Sequence, residues 1–179
     1  MKFKKSNKLL KEALRYIPSG AQTFSKSFQQ FPQGHSPIFL SHGNGGKVWD
    51  IDGNQYIDFI NSLAAITLGY KDPDIDNAVK KQLDNGVTFS LSHRLEAEVA
   101  QMMVDMVPCA EMVRFGKNGS DATTAAIRLA RNITNHTNIM FSGYHGWHDW
   151  YIGSTSMNNG VPKEISNQSF MFEFNNFNS

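Results

Sequence analysis

Met112-Val113-Arg114-Phe115-Gly116-Lys117-Asn118-Gly119-Ser120-Asp121-Ala122, running on to Ile127-Arg128-Leu129-Ala130-Arg131, is the stretch that decides the fold. Its pattern predicts a buried strand over 111–116, a glycine-containing turn, and a helix over 120–133 that begins at Ser120. A turn of this kind aims several backbone N–H groups in one direction, and the helix adds the positive end of its dipole, so the joint suits a phosphate or another small anion. Gly116 and Gly119 carry no Cβ to hold a ligand off. Ser120 can cap the helix or turn its hydroxyl toward an anion. An ordinary strand–turn–helix joint with a capping serine explains the same residues, and the spacing alone does not separate the two.

Working outward, a further strand over 138–142 would complete a βαβ unit with a right-handed crossover. Ala122, Ala125, Ala126, Leu129, Ala130 and Ile133 form the expected inner face of its helix, with Arg128 and Arg131 turned to solvent or to a neighbouring subunit. Ligands of open α/β sheets bind beyond the carboxyl ends of the strands. That rule brings residues 117–120 and 143–145 to one rim. Tyr144, leaving the second strand there, can lay its ring on a flat aromatic ligand. His145 and His148 form a His-x-x-His pair without a carboxylate helix motif, which is poor evidence for a metal, and no metal site is expected.

Asn-Gly-Ser-Asp-Ala-Thr at 118–123, followed by Ala-Ile-Arg-Leu-Ala-Arg at 126–131, resembles the cofactor-phosphate loop and helix of class III pyridoxal 5'-phosphate (PLP) aminotransferases, nearest to their glutamate-1-semialdehyde aminomutase-like branch. Val48-Trp49-Asp50-Ile51-Asp52-Gly53-Asn54-Gln55-Tyr56-Ile57-Asp58-Phe59 and Tyr144-His145-Gly146-Trp147-His148-Asp149 carry the same resemblance, in the same order. It extends over nearly the whole chain but over only the N-terminal portion of such an enzyme. The resemblance implies an α/β fold of PLP-dependent transferase type I (aspartate-aminotransferase-like), here incomplete. Residues 1–70 would supply a small-domain segment of helix, long loop and β-hairpin, and residues 71–179 the start of the large domain with its mainly parallel sheet.

The resemblance also implies roles. Asn118, Gly119 and Ser120 would hold the phosphate of PLP, Tyr144 would stack on its ring, and His145 would be a polar neighbour. Thr23 and Lys26 stand where the aminomutases carry a serine-proline and then an arginine that binds a substrate carboxylate; lysine keeps the charge but loses the planar fork. Leu63 stands at the place of a tryptophan. No lysine here matches the Schiff-base motif, and Lys117 falls at the phosphate end of the cofactor, so no catalytic residue is assigned and the chain alone is expected to be inactive. The parent enzyme would be a homodimer acting on a small-molecule amino donor and acceptor. A PLP-binding module without catalysis, or a degenerate structural segment completed by a partner chain, are the alternatives.

Elsewhere the chain is legible from local rules. Residues 6–17 read as an amphipathic helix stopped by Pro18, and 18–34 as a long polar loop. Alternation from Ile38 to Ile60, with Asp52-Gly53-Asn54 as the turn, predicts a hairpin whose aspartates form turns rather than catalyse. Asp72-Pro73 opens a helix that Gly86 closes. Leu95, Val99, Met102, Met103 and Met106 form one stripe of a helix over 95–107, read as core. Residues 153–168 form a loop with Ser154 and Ser156, and 170–174 a last strand.

With 40% hydrophobic and 18% charged residues the composition is that of a globular protein, and a net charge of +1 gives no reason to expect nucleic acid. No apolar run reaches the ~20 residues of a membrane span, and the basic start is not followed by an apolar signal core. A single cysteine, Cys109, excludes an internal disulfide and suits the cytoplasm.

Overall fold

Three antiparallel strands, not two, form around the expected hairpin: β1 (Leu40–Asn44), β2 (Lys47–Asp50) and β3 (Gln55–Ile57), with Val48 paired to Gly43 on one side and to Tyr56 on the other. In the computed structural model, which describes residues 2–179, this sheet belongs to the first of two compact units, Met1–Ser90 and Leu91–Ser179. The units divide after Ser90, with the helix expected after Asp72 in the first.

The aspartates of the sheet are structural. Asp50, 1% exposed, accepts hydrogen bonds from the Asn54 backbone N–H and side chain and from the Tyr56 hydroxyl, at 2.7, 2.8 and 2.8 Å. Burial pushes its carboxyl upward, but the bonds from Asn54 and Tyr56 outweigh that and leave it below its ordinary value. Asp52, at the turn, reaches across to α1 (Lys4–Ala13): it accepts the Lys5 and Ser6 N–H groups at 2.7 and 2.9 Å and the Ser6 hydroxyl at 2.6 Å. Those N–H groups are first-turn orphans that a cap must satisfy, and α1 has no capping side chain of its own at Phe3. Asp52→Ala is therefore expected to leave the hairpin formed while amide exchange across α1 speeds up; unchanged exchange in residues 5–8 would show that the cap contributes nothing.

The long loop is organised rather than open. Short 3-10 turns occupy Pro18–Gly20, Phe24–Lys26 and Phe28–Gln30, and buried Ser27 pins them by donating to the Ser19 carbonyl at 2.9 Å and accepting the Gln29 N–H at 3.3 Å. After β3 the chain makes one turn, α2 (Asn61–Ala64), in the left-handed region, with φ of 53, 50, 58 and 65° at its four residues. A left-handed turn costs non-glycine residues roughly 1–2 kcal/mol each. Asp58 holds the entry by accepting the Ile60 and Asn61 N–H groups, while the Tyr70 hydroxyl donates to its other oxygen at 2.8 Å. The helix α3 (Pro73–Asn85) follows with Asp72 accepting two first-turn N–H groups, and it ends at Gly86, φ 95°, as Asp72-Pro73 and Gly86 lead one to expect.

In the second unit α4 (Arg94–Met106) is capped by His93 and Glu96. Its stripe is not core here: Met102, Met103 and Met106 are exposed, because nothing within the unit covers that side. α5 (Gly119–Thr134), β4 (Ile139–Phe141), the one-turn helices α6 (Asp149–Ile152) and α7 (Lys163–Ser166), and β5 (Ser169–Met171) complete the unit. β4 and β5 pair in parallel, Ile139 with Ser169 through Phe141 with Met171. The expected strand over 111–116 does not form. Those residues pair with no strand among the described residues, and a strand exists only through its neighbours. The parallel pair is thus 139–141 with 169–171, and not 111–116 with 138–142.

The packing side of α5 also differs from the expected one. Ala122, Ala125, Ala126, Leu129, Ala130 and Ile133 are exposed, whereas Ser120 is buried and Thr123, Thr124, Ile127 and Arg131 are partly buried. Ile127 packs on the core of Ile139, Phe141, Trp150 and Tyr151. Arg131 does not turn to solvent; it donates to the Thr137 carbonyl at 2.9 Å and to the Gln168 side chain at 3.4 Å. Hydroxyls, rather than methyls, carry the contact of the N-terminal half of α5.

Candidate functional site

Asn118, not Ser120, caps α5. Its side chain accepts the Asp121 N–H at 3.0 Å, and Asp121 Oδ2 accepts the N–H groups of Lys117 and Asn118, each at 3.2 Å. This reciprocal box leaves two orphan donors: the Gly119 and Ser120 N–H groups have no acceptor among the described residues. They stand at the N-terminus of a 16-residue helix, where the dipole favours an anion. A Cβ built on Gly119 meets nothing within 4 Å, and no left-handed φ requires a glycine there. The protein's own packing therefore gives no reason for glycine at 119.

Ser120 is 8% exposed and its hydroxyl accepts the Trp147 N–H at 3.3 Å, which leaves its own proton free to donate. Gly146 lies against it so closely that any Cβ would collide with Ser120 Oγ, and its φ of 110° also suits only glycine. Thr123 Oγ1 lies 3.0 Å from the carbonyl of His145 and donates across the same seam. The segment that leaves β4 is thus fastened to the first turn of α5, and Asn118–Ser120 and Tyr144–His145 share one rim.

On that rim Tyr144 is 78% exposed and stands in a T-shaped pair with Tyr151, ring centres 5.6 Å apart, so most of its ring is accessible. His145 is half-buried among Phe141, Trp150 and Tyr151 and donates from Nε2 to the Ser142 carbonyl at 2.8 Å. That bond fixes its proton on Nε2 and leaves Nδ1 an acceptor in the neutral ring. Thr23 and Lys26 lie in the other unit, exposed at the two ends of one 3-10 turn, where the Lys26 N–H donates to the Thr23 carbonyl at 3.0 Å. Ser154 donates to the Tyr151 carbonyl at 2.7 Å, an intraloop bond. Gly146, Asp121, Thr123 and Thr124 belong to the machinery of the rim and escaped the sequence reading; hydroxyls three and four residues beyond Ser120 were the available signal. A larger groove of about 570 Å³ between Ile127–Thr134 of α5 and Thr137–Met140 is the uncovered flank of the strand pair, away from the donors. Among the described residues no group of three or more His, Cys, Asp or Glu side chains could hold a metal ion, and no helix is long and apolar enough to cross a membrane.

The family model described as aminotransferase class-III matches residues 29–179. A 3-aminobutyryl-CoA aminotransferase of Cloacimonas acidaminovorans is 39% identical over all of this chain and 42% of its own length. A glutamate-1-semialdehyde 2,1-aminomutase of Persephonella marina is 42% identical over 75% of this chain and 31% of its own. A solved transaminase with PLP bound superposes with a TM-score of 0.86 at 25% identity, covering 98% of this chain and 43% of that one. The chain spans less than half the length of these relatives, and its strands and helices are part of the α/β aminotransferase fold. With a family model matched over 151 of 179 residues (29–179), the chain belongs to the class III aminotransferases.

Proposed function

We propose that this chain contributes the cofactor cradle of a PLP-dependent enzyme that transfers, or shifts within one molecule, an amino group. The observation that carries the proposal is the pair of N–H groups at Gly119 and Ser120 without an acceptor among the described residues, beside a glycine whose missing side chain would meet no protein atom. Two backbone donors, the Ser120 proton and the helix dipole give a phosphate dianion charge-assisted bonds. The residues present fit that group.

PLP, when bound, supplies an electron sink for chemistry at the carbon bearing the amino group. The chain's own residues bind and orient. Asn118 shapes the turn, Gly119 and Ser120 hold the phosphate, and Tyr144 stacks on the ring. His145 offers Nδ1 as a polar neighbour from a ring locked by Ser142 and three aromatics. Lys26, with Thr23 beside it, presents a single cation to a substrate carboxylate without the fork of an arginine. No lysine of the chain is assigned the Schiff base, so the chain alone is inactive. The small-domain and large-domain roles of residues 1–70 and 71–179, a homodimeric assembly and a cytoplasmic location belong to the same proposal. They are supported by the family membership and, for the compartment, by the lone Cys109.

The test separates stacking from hydrogen bonding. In the full-length enzyme Tyr144→Phe keeps the π face and is expected to hold PLP nearly as the parent does, while Tyr144→Ala is expected to bind roughly tenfold more weakly. Titration of the apoenzyme, followed by cofactor absorbance, reads both. Equal losses in Phe and Ala would make the hydroxyl the important group and reject the stacking role.

A further inference from the structure

A continuous polar path runs from the aromatic core to the turn before α5. The Trp150 indole Nε1–H donates to Thr124 Oγ1 at 3.0 Å, and that hydroxyl lies 2.8 Å from His148 Nδ1. The opposite nitrogen of His148, Nε2, stands 4.0 Å from Asp121 Oδ1. Asp121 Oδ2 accepts the N–H groups of Lys117 and Asn118. An indole N–H can only donate, so Thr124 Oγ1 accepts from Trp150 and shares a second hydrogen bond with His148 Nδ1. The other nitrogen of the ring, Nε2, is the one that faces the carboxylate.

We propose that His148 is a positioning residue for the 117–120 turn. It acts through Asp121 and sets the direction in which the Gly119 and Ser120 N–H groups point. This rests on the reading of that turn as the phosphate site. Asp121 is partly exposed, and a carboxylate held at one oxygen alone can rotate toward water. His148, anchored in turn by Thr124 and Trp150, stands 4.0 Å from the other oxygen and limits that rotation. The Lys117 and Asn118 N–H groups keep their acceptor, and the turn keeps one shape. None of Asp121, Thr124, His148 or Trp150 is itself required to touch the ligand.

The experiment uses the full-length enzyme, stripped of cofactor and titrated with PLP, together with the phosphorus NMR resonance of the bound phosphate. His148→Phe is expected to weaken PLP binding about fivefold and to shift that resonance, and His148→Gln, which keeps a polar group beside Asp121, to recover most of both. In an Asp121→Ala background His148→Phe should add nothing, because the effect passes through the carboxylate. An unchanged affinity and resonance in His148→Phe, or the same fivefold penalty in the Asp121→Ala background, would overturn the proposal. Should His148→Phe fail to fold, Thr124→Val removes the anchor from the far side, and an unshifted resonance there overturns it equally. Gly119→Val distinguishes the two levels. If it leaves PLP affinity intact, the phosphate site itself is misassigned; if it abolishes binding while His148→Phe changes nothing, only the positioning role fails.

Discussion

Gly119→Val in the full-length enzyme is expected to weaken PLP binding by about two orders of magnitude, the equivalent of roughly 3 kcal/mol. The size follows from what the side chain displaces. A Cβ at 119 enters space that is empty of protein atoms within 4 Å, and a branched isopropyl group occupies the place from which an anion would meet two backbone donors. Bonds to a charged acceptor are each worth about 1.5–3 kcal/mol, and removing the approach removes more than one. Ser120→Ala deletes one hydroxyl and the acceptor of Trp147, so its loss should be nearer tenfold. Valine at the first position of α5 breaks no helical hydrogen bond, so the melting temperature should scarcely change. Titrations that give the parent's affinity for Gly119→Val would remove the phosphate from this turn.

The second large effect belongs to stability. Asp50→Ala is expected to destabilise the three-stranded sheet by about 2 kcal/mol, because it strands the half-buried donors of Asn54 and Tyr56 and empties the buried place of the carboxylate. Burial and the bond to Asp50 push the Tyr56 phenol up to about 12, so the hydroxyl remains a donor throughout the working range. The pH dependence has a definite sign. The folded carboxyls of Asp50 and Asp58 lie below their unfolded values, despite the opposing effect of burial, through hydrogen bonds from Asn54 and Tyr56 and from Tyr70 and the 60–61 backbone respectively. Their contribution is complete above the unfolded carboxylate range and fades as pH falls from about 5 toward 2. The parent should therefore lose protection in residues 47–57 on acidification, and Asp50→Ala should lose less because its share is already gone. Hydrogen exchange at the two ends of that range checks both statements, and identical acid sensitivity would remove Asp50 from the account.

What could be seen in the sequence and what could not divide along a physical line. Asp72-Pro73 and Gly86 delimit α3 because capping is a local matter of three or four residues. The hairpin follows from alternation and a turn, also local, although pairing with β1, within the same alternating span, makes it three strands rather than two. Residues 111–116 have the composition of a strand, but pairing depends on what lies beside them, and among the described residues nothing does. The face of α5 was misjudged for a related reason. Hydrophobicity selected the side bearing Leu129 and Ile133, whereas the contact with the segment leaving β4 is made by Ser120, Thr123 and Thr124, hydroxyls that satisfy backbone and ring partners. Ser120 and Asn118 exchanged the capping role because both residue types cap well, and only geometry shows which one meets the Asp121 N–H. The rim shared by Asn118–Ser120 and Tyr144–His145 was legible, since β/α connectivity dictates which loops are neighbours.

The Asp52 cap on α1 has a consequence in time as well as in space. A ten-residue helix is too short to persist alone in water, and here the groups that complete its first turn lie on a hairpin 46 or 47 residues further along. During synthesis the N-terminal segment leaves the ribosome before its own cap has been made. It becomes a settled helix only after the hairpin has emerged and closed, so the first helix of its unit waits for the sheet that follows it.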